Sequence, residues 1–121
     1  MRFLLIAKTN YEVKNRTKIR LLRHATLIIE INGQKILIDP MLSKKDGLDP
    51  VQNCGNEIRF PMVDLPISDL ELTNLLSEID AVVVSHLHRD HWDNVAQNLI
   101  DKNMLIFCQP NDTHKIERTR I

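Results

Sequence analysis

Long apolar runs, a cysteine framework and an excess of either charge are all missing from this 121-residue chain. The stretch Phe3-Leu4-Leu5-Ile6-Ala7 is much shorter than the apolar core of a signal peptide or a membrane span, so the chain is expected neither to cross a membrane nor to be exported. It reads instead as an extra edge strand within residues 1–17. Only Cys54 and Cys108 are present, far apart and without a secretory signal. That favours reduced thiols and a cytoplasmic location. Sixteen Lys and Arg balance sixteen Asp and Glu, and nothing in that balance argues for nucleic acid or an anionic membrane as partner. The local cations from Lys14 to Arg23 have no aromatic interleaving beyond Tyr11 and read as a solvated strand edge and loop. No repeat or low-complexity tract is visible, and the length allows at most one ordinary domain.

What the chain does have is concentrated in Val82-Val83-Val84-Ser85-His86-Leu87-His88-Arg89-Asp90-His91-Trp92-Asp93. The β-branched run is too brief for a helix and reads as a buried strand ending at Ser85. Three imidazoles and two carboxylates then crowd into eight residues. Both side-chain types are costly to desolvate, so such crowding at a buried strand end calls for a shared partner, and a divalent cation fits. In an extended backbone His86 and His88 face one side and Leu87 the interior. Asp90 and His91 are adjacent and would diverge unless a turn aims them together, which would give a carboxylate and an imidazole for a second ion. Two ions about 3.5–4 Å apart can clamp a water and polarise a substrate oxygen. The plain alternative is a surface loop rich in His and Asp. A closed structural zinc site is a further alternative, weakened because neither cysteine lies beside the cluster in sequence.

The run His86-x-His88-x-Asp90-His91 resembles the metal-binding signature of the metallo-β-lactamase superfamily. Upstream, Arg23-His24-Ala25-Thr26-Leu27-Ile28-Ile29-Glu30 and Asn32-Gly33-Gln34-Lys35-Ile36-Leu37-Ile38-Asp39-Pro40 resemble the opening hairpin of its lactonase-like and phosphodiesterase-like branches, with Arg23 where those branches carry glycine. The resemblance covers roughly residues 18 to 110. It implies an α/β fold, half of an αββα sandwich, with one mixed β-sheet and helices packed on one face. It implies a metal-dependent hydrolase of a small-molecule ester, lactone or phosphodiester. The metal is usually zinc, two ions in a complete site, with manganese or iron as alternatives. By position, His86 and His88 would bind the first ion and Asp90 and His91 the second. Asp90 would also orient the attacking water, Asp39 would support the site from behind, and His24 would stand near the pocket. Members of this family run to about twice this length, and their later half supplies the remaining ligands.

Residues 18–23 and 26–31 are β-rich, and Asn32-Gly33 is a tight-turn signal before the strand Lys35–Asp39. His24, at the handover between the first two strands, reads equally as a hydrogen-bonded structural histidine or as a pocket residue. Residues 40–67 form a long loop holding four of the five prolines and two of the three glycines. It leaves the strand end that carries Asp39. It is expected either to overhang the metal site through Arg59, Phe60 and Met62 or to be an insertion without a role. Ser68 and Glu71 fit a capping box for a helix over 69–79 with Leu72, Leu75, Leu76 and Ile79 on its apolar face. Asp93 or Asn94 caps a second helix to about Ile100, with Val95, Ala96 and Leu99 facing inward. Trp92 reads as core in preference to a substrate-stacking residue. Met104–Cys108 reads as another buried strand, with Cys108 a small core residue. Asn111-Asp112 opens a last helix on which His114 is exposed.

The chain stops at Ile121, where an α/β pattern calls for a glycine and another strand, the ending expected of a truncated domain. A catalytic zinc normally keeps three protein ligands, and this motif offers two to each ion. Three readings follow: a hydrolase represented by its N-terminal half, a homodimer whose copies complete each other's fold, and a non-catalytic metal-binding or interaction module.

Overall fold

The computed structural model describes residues 16–120. The strand expected at Phe3–Ala7 lies outside them. Five strands form one sheet in the order β1-β2-β3-β4-β5. Strand β1 (Lys18–Arg23) pairs antiparallel with β2 (Thr26–Ile31). The next turn is Asn32-Gly33, both at positive φ (50° and 78°), which suits asparagine and glycine and closes a hairpin onto β3 (Gln34–Ile38).

From β3 the chain runs through the long loop and helix α1 (Asp69–Glu78) to β4 (Ala81–Val84), which lies parallel to β3. The capping box is formed: Ser68 Oγ accepts the Glu71 N–H at 3.2 Å, and the Glu71 carboxylate accepts the Ser68 N–H at 2.9 Å. Helix α2 (Asn94–Leu99) then leads to β5 (Leu105–Cys108), parallel to β4, and a 3₁₀ turn (Pro110–Asp112) leads to helix α3 (Thr113–Arg118). Asp93 caps α2 through the Ala96 N–H at 2.8 Å. Among the described residues no helix is long and apolar enough to cross a membrane.

The core lies on one side of this mixed sheet. Ile28, Leu37, Val82 and Val84 meet Leu72 and Ile79 of the α1 segment, Ala96 and Ile100 of the α2 segment, and Ile116 of α3. Trp92 joins this core. Burial of such side chains stabilises by about 1.5–3 kcal/mol each. The other side of the sheet has no helix over it among the described residues. In register across the strands, Leu21, Leu27, Ile38, Val83 and Phe107 form one row, and Ile19, Ile29, Ile36, Ala81 and Leu105 a second. At the two edges of these rows Leu21 is 62 % exposed and Phe107 55 %.

That open face corrects one expectation: Met104–Cys108 does not make a buried strand. It is an edge strand whose residues alternate, with Leu105 and Phe107 outward and Ile106 and Cys108 packed against the core. A second expectation fails on α2, where Leu99 is 51 % exposed. The helix is only six residues long, and Ala96 and Ile100 take the inward positions instead.

The loop after β3 begins as part of the core, since Pro40, Met41, Leu42 and Ser43 are all buried. Buried Arg23 anchors it. Its guanidinium donates to the carbonyls of Met41 at 2.8 Å, Ser43, and Val63 at 3.1 Å. Burial lowers the Arg23 pKa, while Asp93 and Asp64 act the other way. Asp93 also holds Ser43, accepting its N–H at 2.8 Å and its Oγ–H at 2.6 Å.

Candidate metal centre

Strands β3 and β4 are parallel and pair Ile38 with Val83, so the residues that follow each strand emerge side by side. Asp39 leaves β3 at φ 44°, a left-handed conformation that Asp tolerates better than most residues. Its backbone is fixed on both sides: its N–H donates to the Val83 carbonyl at 2.9 Å, and its carbonyl accepts the Thr26 hydroxyl at 2.7 Å. The buried carboxylate is thereby aimed at the end of β4.

There it gathers three donors. One oxygen accepts the Ser85 N–H at 2.6 Å; the other accepts the Ser85 hydroxyl at 2.7 Å and His91 Nδ1–H at 2.9 Å. An ionised carboxylate can only accept, so the proton of the last contact sits on Nδ1 and leaves the Nε2 lone pair of His91 free. Ser85 Oγ, its own proton given to Asp39, accepts from His86 Nδ1 at 3.0 Å. His86 Nε2 is freed by the same logic. One carboxylate and one hydroxyl therefore set two imidazoles in the tautomer a metal ion requires. Gln109, just after β5, donates to the Ser85 carbonyl at 2.7 Å and pins the centre of this relay.

A turn brings the second half of the motif back. The N–H groups of His91 and Trp92 both donate to the His88 carbonyl, at 2.8 and 3.0 Å. The result is a cluster of His86, Asp90 and His91 whose ligand atoms all lie within 4.8 Å of one another. The His86 and His91 rings stand 3.9 Å apart, and His91 Nε2 is 3.3 Å from Asp90 Oδ2. Two imidazole nitrogens and a carboxylate oxygen at that spacing suit a divalent ion such as zinc. His88 lies outside this cluster, its ring edge-on to His86 with centroids 4.6 Å apart. Leu87 packs against the core between them. The sequence pattern pairs His86 with His88 and Asp90 with His91; the geometry draws His86, Asp90 and His91 to one point, with His88 at its edge.

The other sequence candidates fall elsewhere. His24, exposed and at φ 47°, accepts the Met62 N–H on Nε2 at 3.0 Å and meets the Phe60 ring edge-on at 5.7 Å. It clamps the long loop and is not in the cluster. Arg59 is held by Asp49 at 2.9 Å and by the Asp46 carbonyl at 2.8 Å. The His114 side chain is 87 % exposed. Sequence reasoning missed Ser85, Gln109 and Thr26 as parts of the site. The signal for Ser85 was its place directly before the first histidine; Gln109 and Thr26 carry no local signal.

A mixed sheet whose parallel strands end in a carboxylate-supported His and Asp cluster defines an α/β domain with a cluster able to hold a metal ion. Residues 18–121 match the family model described as beta-lactamase superfamily domain, and the chain belongs to that family. It is 40 % identical over 89 residues to the UPF0173 protein YddR of Bacillus subtilis, covering 73 % of this chain and 34 % of that protein. Two solved structures are similar. An isothiocyanate hydrolase from Delia radicum gut bacteria has a TM-score of 0.71 at 39 % identity, covering 86 % of this chain and 38 % of that one. A possible metal-dependent hydrolase from Veillonella parvula has a TM-score of 0.74 at 41 % identity, covering 85 % and 38 %. The expected fold class therefore holds: part of a metallo-β-lactamase sandwich, one mixed sheet with helices on one face. The chain spans about a third of the length of these relatives.

Proposed function

We propose that this chain carries the metal-binding part of a metal-dependent hydrolase acting on a small molecule, with zinc as the ion. The observation that carries the reading is the relay of Asp39 and Ser85, which holds His86 and His91 beside Asp90, with His91 Nε2 3.3 Å from its carboxylate. Histidines without such a task are not usually locked in matching tautomers by one shared buried acid. His86, Asp90 and His91 would hold the ion, and His88, its ring 4.6 Å from that of His86, would be available to a second one. A bound divalent ion supplies a Lewis acid and lowers the pKa of a coordinated water.

The protein's own part is positional. Asp39 holds the Nδ1 side of His91 directly and that of His86 through Ser85. Asp90, its side chain 51 % exposed, would orient the attacking water. The scissile group is an ester, lactone or phosphodiester, and the likeness to an isothiocyanate hydrolase adds the electrophilic carbon of an isothiocyanate to that set. A second reading, a homodimer that completes the fold, is favoured by the open apolar sheet face.

The test is the metal content of the His86→Ala, His88→Ala double variant after zinc loading and desalting. We expect tight zinc to be lost while the circular dichroism spectrum is retained. Unchanged zinc content in a folded double variant overturns the assignment.

A further inference from the structure

We infer that the long loop builds a binding cleft for a short apolar substituent beside the metal cluster, so the substrate is a small molecule with an aliphatic group next to its reacting centre. This rests on the hydrolase reading above and adds the chemistry of what it takes. The cleft, about 590 Å³, lies between the loop and the motif, with His88 and Asp90 on one wall and Leu48, Val51 and Phe60 on the other. That volume is within the range of small-molecule sites.

Charged side chains fasten the loop. Arg59 pairs with the Asp49 carboxylate, and Arg89 donates to the Asp49 carbonyl. The second contact ties the loop to the motif. Leu48 and Phe60 are bridged to each other by backbone hydrogen bonds in both directions, at 2.6 and 3.2 Å, and the Phe60 ring is braced by His24. The apolar wall is thus held in place. Gln52, also lining the cleft, offers an amide that can donate to a carbonyl-type oxygen. An apolar wall held beside the candidate metal cluster suits a substrate that carries an aliphatic group.

The experiment is an NMR titration of the metal-free protein with a series of linear aliphatic amides of increasing length. We expect the Kd to fall about two- to fourfold per added methylene, the increment apolar burial gives, with shifts at the amides of Val51, Gln52 and Arg89. Val51→Ser should flatten that dependence without moving the rest of the spectrum, and Phe60→Ala should flatten it further. Because the titration uses metal-free protein, it reads the cleft independently of the metal assignment. A Kd independent of chain length overturns the inference. So do shifts confined to the open sheet face around Leu21, Leu105 and Phe107.

Discussion

Replacing Asp39 by asparagine isolates the relay from the fold. Asparagine keeps the shape and tolerates the φ of 44°, whereas alanine would add about 1 kcal/mol of backbone strain. The amide has one acceptor where the carboxylate has two, and its NH₂ must face one side of the present arrangement. Turned one way, the NH₂ meets the Ser85 N–H, now 2.6 Å from Oδ1. Turned the other way, it meets the Ser85 hydroxyl and His91 Nδ1–H, 2.7 and 2.9 Å from Oδ2. In that second orientation the imidazole escapes the clash only by moving its proton to Nε2, the atom the metal needs.

Either way one hydrogen bond to a charged group is lost, worth about 1.5–3 kcal/mol, and the expected loss of zinc affinity is about 10- to 100-fold. Competition with a chromogenic chelator at neutral pH reads the affinity, and urea unfolding of the metal-free protein reads the stability. The reasoning predicts a folded variant whose zinc affinity falls by that factor. A folded Asp39→Asn protein that binds zinc within about twofold of the wild type would refute it.

Two further perturbations test the sheet. Leu37 is fully buried under the helices and Leu105 lies 57 % exposed on the open face, so Leu37→Ala should cost about 2–5 kcal/mol and Leu105→Ala under about 0.5 kcal/mol. Equal losses in urea unfolding would mean that the open face is covered in solution. Native mass spectrometry after zinc loading should show dimers if copies cover one another's open faces, and Phe107→Glu should then return monomers. Monomers of the unaltered chain at every concentration would exclude the homodimer.

The elements of this fold were legible because their signals are local. Asn32-Gly33 closes a hairpin and Ser68 with Glu71 starts a helix through contacts within four residues. The β-branched run at 82–84 shows its buried character directly. The errors came where the answer depends on what lies across from a residue. Leu99 and the outward side of Leu105–Cys108 have the composition of core, and an apolar side chain does not reveal whether anything covers it.

The site was legible as chemistry and not as geometry, for the same reason. Extended-strand periodicity pairs His86 with His88, and their rings do lie side by side. What joins His86 to His91 instead is a carboxylate 47 positions before His86, and the link exists only because β3 and β4 run parallel with Ile38 opposite Val83. That register puts Asp39 beside the end of β4. Ser85 is then the one residue able to donate to Asp39 and accept from His86 at once. Shifting the pairing by a single residue would turn Ser85 to the opposite face of the sheet and release both imidazoles from their tautomers. The candidate ligands are written in one short motif, but the hydrogen bonds that orient them depend on strand register, and Asp39 is where the packing of the sheet reaches the candidate metal centre.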